Sequence, residues 1–322
     1  MVNVKRAIDL ASKRICVTGG TGFLGSFLVQ SLREGGCKDV FVVRHEDYDL
    51  TQEAGVKRLF QDARPQVLFH LAAMVGGIGA NREHPGSFFY ANAIMGIQLL
   101  EYARRFGVEK SVVVGTVCSY PNLAPIPFRE ESLWDGYPEV TNAPYGIAKK
   151  ILLVQCQAYR EQYGMNAIYL LPGNIYGPKD NFDPASSHVI PAIIHMMLEA
   201  KARRNNKVVC WGDGTPTREF LFVRDAARGI VKAAQHYDGA DPVNLGSGEE
   251  TSIRDLAEML AEMCGYTGRI FWDTSKPNGQ PRRKLDTSRA EQFFGFRAET
   301  PLRAGLTETI EWYKGRLAAV SA

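Results

Sequence analysis

Tyr145 and Lys149 lie four positions apart in a stretch whose apolar spacing predicts a helix over 143–163. At that spacing both side chains share one helix face, about 5–6 Å apart. An ammonium beside a phenol favours the tyrosinate and makes tyrosine a usable general acid/base, and the lysine can also hold a ribose. A Tyr-x-x-x-Lys pair alone also occurs in ordinary amphipathic helices. Here it follows Gly115-Thr116-Val117-Cys118, at the end of a strand predicted over 111–114, where Thr116 can hydrogen-bond a substrate oxygen or the tyrosine hydroxyl.

A second group of residues can hold a dinucleotide. Gly19, Gly22 and Gly25 form G-x-x-G-x-x-G between a strand predicted over 14–18 and a helix over 23–34. Glycines let the backbone turn sharply and approach a pyrophosphate, whose charge then rests on the helix N-terminus. Glycines alone would also suit a tight turn; the strand–turn–helix context points to the cofactor. The next strand, 40–43, runs out as Val43-Arg44-His45-Glu46-Asp47. An acid there suits the ribose hydroxyl of NAD, a base the extra phosphate of NADP. Arg44 and His45 come first and favour NADP, although a solvated charged loop would read similarly.

Positioning these groups requires a scaffold. Strands over 67–71 and 167–171 and helices over 51–62 and 87–106 complete an alternation that implies a parallel sheet covered on both faces. After Pro172 the pattern reads as irregular, broken by Pro178, Pro184 and Pro191. Strands over 208–211, 220–223 and 243–245 and helices from 224, over 253–264 and over 302–317 follow. The expected fold is α/β, a Rossmann-type doubly wound sheet over 1–180 and about 220–251. A smaller C-terminal α/β lobe takes 181–219 and 252–322.

With 322 residues, 45% of them hydrophobic, the chain can bury a large core, and 23% charged residues exclude disorder. A net charge of +3 is too small and scattered for a nucleic-acid or membrane surface. No stretch reaches the roughly 18–20 apolar residues of a membrane span, and the first residues carry no secretory pattern. Cys16, Cys37, Cys118, Cys156, Cys210 and Cys264 are widely spaced, with no metal-like pairing, which fits reduced thiols in a cytoplasm.

Several segments carry a resemblance: AAMVGGIGAN (72–81), CSYP (118–121), NAPYGIAKK (142–150), GNIYGPKDNFDPASSHVIPA (173–192), WGDGTPTREF (211–220) and SKPNGQPR (275–282). Across nearly its whole length the chain resembles the extended short-chain dehydrogenase/reductase family. The longer segments are similar to the branch that epimerises C3 and C5 of GDP-4-keto-6-deoxy-mannose and reduces C4 with NADPH. The resemblance implies catalysis by Thr116, Cys118, Tyr145, Lys149 and His188, with Cys118 the base and His188 the acid of epimerisation.

The resemblance also implies NADP(H) held by Gly19, Gly22, Phe23, Leu24 and Gly25, and by Arg44, His45, Asp49 and Leu50. Leu71, Ala72, Ala73, Gly115, Tyr145 and Lys149 would continue that site, with Pro172, Asn174, Ile175 and His188 closing it. A nucleotide-sugar substrate would lie on Val75, Gly76, Asn174, Trp211, Arg218 and Asn278, the arginine on its diphosphate. A homodimer through helices 87–106 and 143–163 is expected, as is a cytoplasmic protein without nucleic-acid or membrane partners.

Two departures stand out. Met196 replaces a basic residue of that branch, and the turn Gly-Gly-Thr-Gly-Phe-Leu-Gly is the wider family's form. A C4 epimerase or other 4-keto reductase is the alternative enzyme reading. A dehydratase would need Asp-Glu where Val117-Cys118 stands. A non-catalytic dinucleotide sensor would have no use for Tyr145 and Lys149.

Overall fold

The computed structural model describes residues 7–184, 186–276 and 278–321. Residues 1–6, Ala185 and Pro277, which fall within stretches read above, lie outside them. The first half runs β1 (Ile15–Thr18), α1 (Phe23–Glu34), β2 (Val40–Val42), α2 (Glu53–Ala63), β3 (Val67–His70), α3 (Ile78–Glu83), α4 (Pro85–Arg105), β4 (Lys110–Val114), α5 (Ala143–Tyr163) and β5 (Ala167–Pro172). The second half runs β6 (Asn174–Tyr176), α6 (Val189–Ala202), β7 (Lys207–Trp211), β8 (Thr217–Phe222), α7 (Val223–His236), β9 (Val243–Leu245) and β10 (Glu250–Ser252). It closes with α8 (Ile253–Cys264), β11 (Arg269–Asp273), β12 (Arg282–Arg283), α9 (Ser288–Phe294) and α10 (Leu302–Ser321).

Six parallel strands form the main sheet in the order β2-β1-β3-β4-β5-β9. β1, β3, β4 and β5 are buried along their whole length, which is why they read as continuous apolar runs rather than alternating ones. One face packs on α1 and α7 through Val17, Leu28, Val112, Ile168 and Ile230. The other packs on α2, α4 and α5 through Cys16, Leu59, Leu99, Val113 and Leu152. The winding reverses between β1 and β3, and ligands of such sheets bind at that switch, off the carboxyl ends of the strands.

A third core, around Ile194, Met197, Leu256, Leu260 and Ile310, holds α6, α8 and α10 together. β8 is the hub of the second sheet, with β10 antiparallel to it and β6 and β12 parallel. The strand expected over 220–223 therefore belongs to this smaller sheet. The chain rejoins the large one through α7 and β9, and α9 adds Ala290 and Phe294 to the same core.

The stretch after Pro172 is more regular than its prolines suggest. Pro191 is the third residue of α6, inside the first turn, where a missing N–H leaves no hydrogen bond unmade. β11 gives no strand signal in the sequence because its residues are half-buried or exposed and pair only with β7. Among the described residues no helix is long and apolar enough to cross a membrane.

Candidate active site

The glycine turn is a matter of space. Gly19 has φ +70°, and a side-chain carbon there would stand 2.8 Å from the Ala72 nitrogen. A carbon on Gly25 would stand 2.0 Å from the Gly19 carbonyl oxygen. Only hydrogen at both positions lets α1 start directly on the turn, with Gly22 as its N-cap and Phe23 and Leu24 half-buried behind it. Leu71, Ala72 and Ala73 leave β3 alongside, and the Ala72 N–H donates to the Thr18 hydroxyl at 3.2 Å.

At the end of β2, Arg44 and His45 are exposed, and Arg44 has no ion-pair partner among the described residues. The Asp49 carboxylate takes the Thr51 N–H and hydroxyl at 2.9 and 2.7 Å, a turn that buries Leu50. Pro172 ends β5, and Asn174 and Ile175 lie in β6, where the Asn174 amide donates to the Glu219 carbonyl at 2.8 Å. A cradle that any side-chain carbon would fill, facing a helix N-terminus at the switch point, fits a dinucleotide.

The reactive pair is placed by a second close approach. Thr116 follows Gly115 at the end of β4, and its hydroxyl accepts the Cys118 N–H at 3.2 Å. A side-chain carbon on Gly146 would stand 2.3 Å from the Cys118 carbonyl oxygen, and Ser119 donates to the Gly146 carbonyl at 2.9 Å. The first turn of α5 is thus pressed onto the Thr116–Ser119 loop, which sets Tyr145 beside Thr116.

Tyr145 and Lys149 are both buried, and burial decides their protonation. It pushes the Tyr145 phenol above its ordinary range; the neighbouring Cys118 adds to this and Thr116 opposes it. The expectation that Lys149 lowers the tyrosine is therefore not met in the protein alone. Burial disfavours the ammonium as well, pulling Lys149 down to about 8.

Opposite this pair the Arg283 guanidinium donates to the Cys118 sulfur at 3.6 Å, with Cys118 half-buried. Arg283 is braced by Gln280 at 2.8 Å, whose amide donates to the Asn122 carbonyl at 2.9 Å. The β12–β8 register sets Arg283 beside Arg218. Burial first, and Arg283 second, hold the Arg218 guanidinium below its usual range. A guanidinium keeps its proton all the same. Two crowded cations without an ion-pair partner among the described residues make a site for an anion.

Trp211 is exposed, with the Lys276 ammonium 5.6 Å from its ring centre. Asn278 accepts the Asp213 N–H at 3.0 Å and so holds the turn next to Trp211. His188 opens α6 with an exposed edge, and the protein packed around its other sides lowers its imidazole below the ordinary range. The Gly77 N–H donates to the Ser186 carbonyl at 3.1 Å, so the loop bearing Val75 and Gly76 adjoins His188.

Three residues escaped the sequence reading. Asn81 donates to the Gly76 and Gly77 carbonyls, and Asn92 clamps Met74 from both sides. Their signal was no more than an asparagine near a glycine-rich loop. Arg283 could have been found as part of the basic run Arg282-Arg283-Lys284 that continues the SKPNGQPR segment. Met196 packs on the apolar cluster of the C-terminal lobe.

The sequence model of the NAD dependent epimerase/dehydratase family matches residues 15–246. The chain belongs to that family. Among the family's named members it is similar to the probable GDP-L-fucose synthase 1 of Oryza sativa subsp. japonica, 42% identical over 301 residues, 93% of this chain and 92% of the other. The GDP-L-fucose synthase of Escherichia coli (strain K12) is 36% identical over 313 residues, 94% and 97% of the two chains. A solved GDP-L-fucose synthetase from Naegleria fowleri bound to NADP superposes with a TM-score of 0.86, 29% identity and 94% coverage of each chain.

Proposed function

We propose that the protein catalyses NADPH-dependent 3,5-epimerisation and 4-keto reduction of a GDP-4-keto-6-deoxy-mannose-type sugar, giving GDP-L-fucose or a close relative. The observation that carries it is a thiol, Cys118, held against a guanidinium within reach of the Thr116–Tyr145 pair. A simple C4 epimerase or reductase has no use for that thiol. Full-length relatives named for this activity, and one bound to NADP, support the same reading.

Bound, the dinucleotide supplies the hydride for C4. The Gly19–Gly25 cradle takes its pyrophosphate, Arg44 and His45 suit its extra phosphate, and Lys149 reaches its ribose. A 4-keto group acidifies the C3 and C5 protons, because the carbanion is an enolate. Cys118, with the Arg283 guanidinium against its sulfur, removes such a proton. His188, beside the Val75–Gly76 loop, returns one. Tyr145, kept protonated by burial, gives its proton to the C4 oxygen, with Thr116 holding that oxygen in line. Arg218 takes the diphosphate, and Trp211 offers its face to the base.

In this reading 1–180 with about 220–251 form the cofactor half and 181–219 with 252–322 the substrate half, except that β6, β8 and β10 pair in the smaller sheet and α9 packs on the core of the large one. The protein acts as a cytoplasmic homodimer. Its free cysteines suit that compartment, and Phe89, Tyr90, Ile97 and Val154 leave an exposed apolar surface on the packed pair α4 and α5.

The test mixes protein, NADPH and GDP-4-keto-6-deoxymannose in deuterated buffer, following NADPH absorbance and then the product by NMR. NADPH loss with deuterium at C3 and C5 is expected. Reduction without exchange would remove the epimerase half. Exchange surviving in both Cys118→Ser and His188→Asn would remove their roles.

A further inference from the structure

A buried carboxylate stands one residue from Arg218 and has no part in the chemistry above. Glu219 lies in β8 and is 1% exposed. Its partners are backbone N–H groups from two remote segments. Oε1 accepts the Gly248 N–H at 2.7 Å, in the turn after β9. Oε2 accepts the Leu285 N–H at 2.6 Å, two residues after Arg283. Gly246 leaves the room for this, since a side-chain carbon there would stand 2.1 Å from Oε1. Burial raises the carboxyl above its ordinary range, and the N–H groups of Leu285, Gly248 and Ser247 pull it back.

The strand that carries Arg283 needs such an anchor. β12 is two residues long, and its ladder pairs Arg282 with Thr217 and Arg283 with Arg218. Beyond it the chain is held by the Glu219 carboxylate at Leu285 and by Phe128, whose N–H donates to the Lys284 carbonyl at 2.7 Å. Successive residues of a strand face opposite sides, so Glu219 reaches out on the far side of β8 from Arg218. The carboxylate grips β12 from behind while the Arg283 guanidinium lies 3.6 Å from the Cys118 sulfur.

We propose that Glu219 is a positioning residue for Arg283: its carboxylate fixes the register of β12 on β8 and, with it, the guanidinium against Cys118. The proposal rests on the reading that Cys118 carries the epimerisation. A carboxylate suits this place because both of its oxygens only accept. A glutamine of the same shape would turn its NH2 against one buried N–H or the other, whichever way the amide lay.

Two measurements test this. With GDP-4-keto-6-deoxymannose in deuterated buffer, Glu219→Gln is expected to slow exchange at C3 and C5 about fivefold and to leave NADPH affinity unchanged. In an Arg283→Met protein the guanidinium is already gone, so adding Glu219→Gln is expected to cost less than about twofold. The same loss in both backgrounds, or a fall in NADPH affinity, overturns the proposal and makes Glu219 a general support of the fold. A crystal structure of the Glu219→Gln protein reads the position without turnover. Arg283 is expected to have left the Cys118 sulfur, and a guanidinium still 3.6 Å from it overturns the proposal. If Glu219→Gln does not fold, Glu219→Asp, which draws the charge back by one carbon, takes both tests with the same expected outcomes. A wild-type protein that shows no exchange would sink the parent reading, and the crystal structure would then decide this one alone.

Discussion

The two ends of the cleft are built by different means. At the cofactor end, seven consecutive residues, Gly19–Gly25, running from the turn after β1 into the first turn of α1, make the cradle, and the sheet's switch point aims it. At the substrate end, Cys118, Arg218 and Arg283 come from three distant parts of the chain and meet because β12 pairs with β8 in one register. A contiguous site depends on what each residue cannot be, above all on glycines that exclude a side chain. An assembled site depends on packing far from the chemistry, and a slip of one residue in β12 would turn Arg283 to the other face.

Gly25→Ala is the strongest attack on this contrast. Its new carbon meets the Gly19 carbonyl, so NADPH affinity is expected to fall about 100-fold or more, some 2.7 kcal/mol. Fluorescence titration with NADPH measures it, and near-native affinity would mean the turn adapts and the cradle is not rigid.

At the other end Arg283→Met is expected to slow proton exchange at C3 and C5 by about tenfold, since Cys118 loses the guanidinium held against its sulfur. NADPH affinity should stay unchanged and Arg283→Lys should restore part of the rate. A joint loss of both functions would show that the two ends are coupled and the contrast is false.

A third test lies where the ends meet. Lys149 falls to about 8 in the fold from its ordinary 10.5, so between those values the unfolded chain binds the proton and the folded one does not. Below pH 8 the native state carries the buried charge at a cost, and that cost fades as pH rises towards 10.5. Lys149→Met should therefore be more stable than wild type at neutral pH, with the gap closing in alkali. The gain is about 1.4 kcal/mol for each tenfold weakening of the lysine's hold on its proton. Denaturant unfolding across that pH range measures it, and a gap that stays constant with pH would mean that Lys149 is not desolvated.

Much of this was readable in advance. The helices over 23–34, 143–163 and 253–264 and the strand over 243–245 occupy their predicted positions, because apolar spacing, glycine stops and buried β-branched runs are local signals. The region from Asn174 to Ala202 was not, since proline reads as a break in the sequence where Pro191 merely opens a helix. Arg283 went unnoticed because nothing in a run of basic residues says which one a strand register will turn inward.

The sequence by itself determined the family, the cofactor turn and the Tyr145–Lys149 pair, since each is written in residues close enough to constrain one another along the chain. Only the tertiary structure decided the protonation of that pair and the guanidinium against Cys118. Those depend on burial and on neighbours contributed by remote segments, and a linear spacing carries no measure of either.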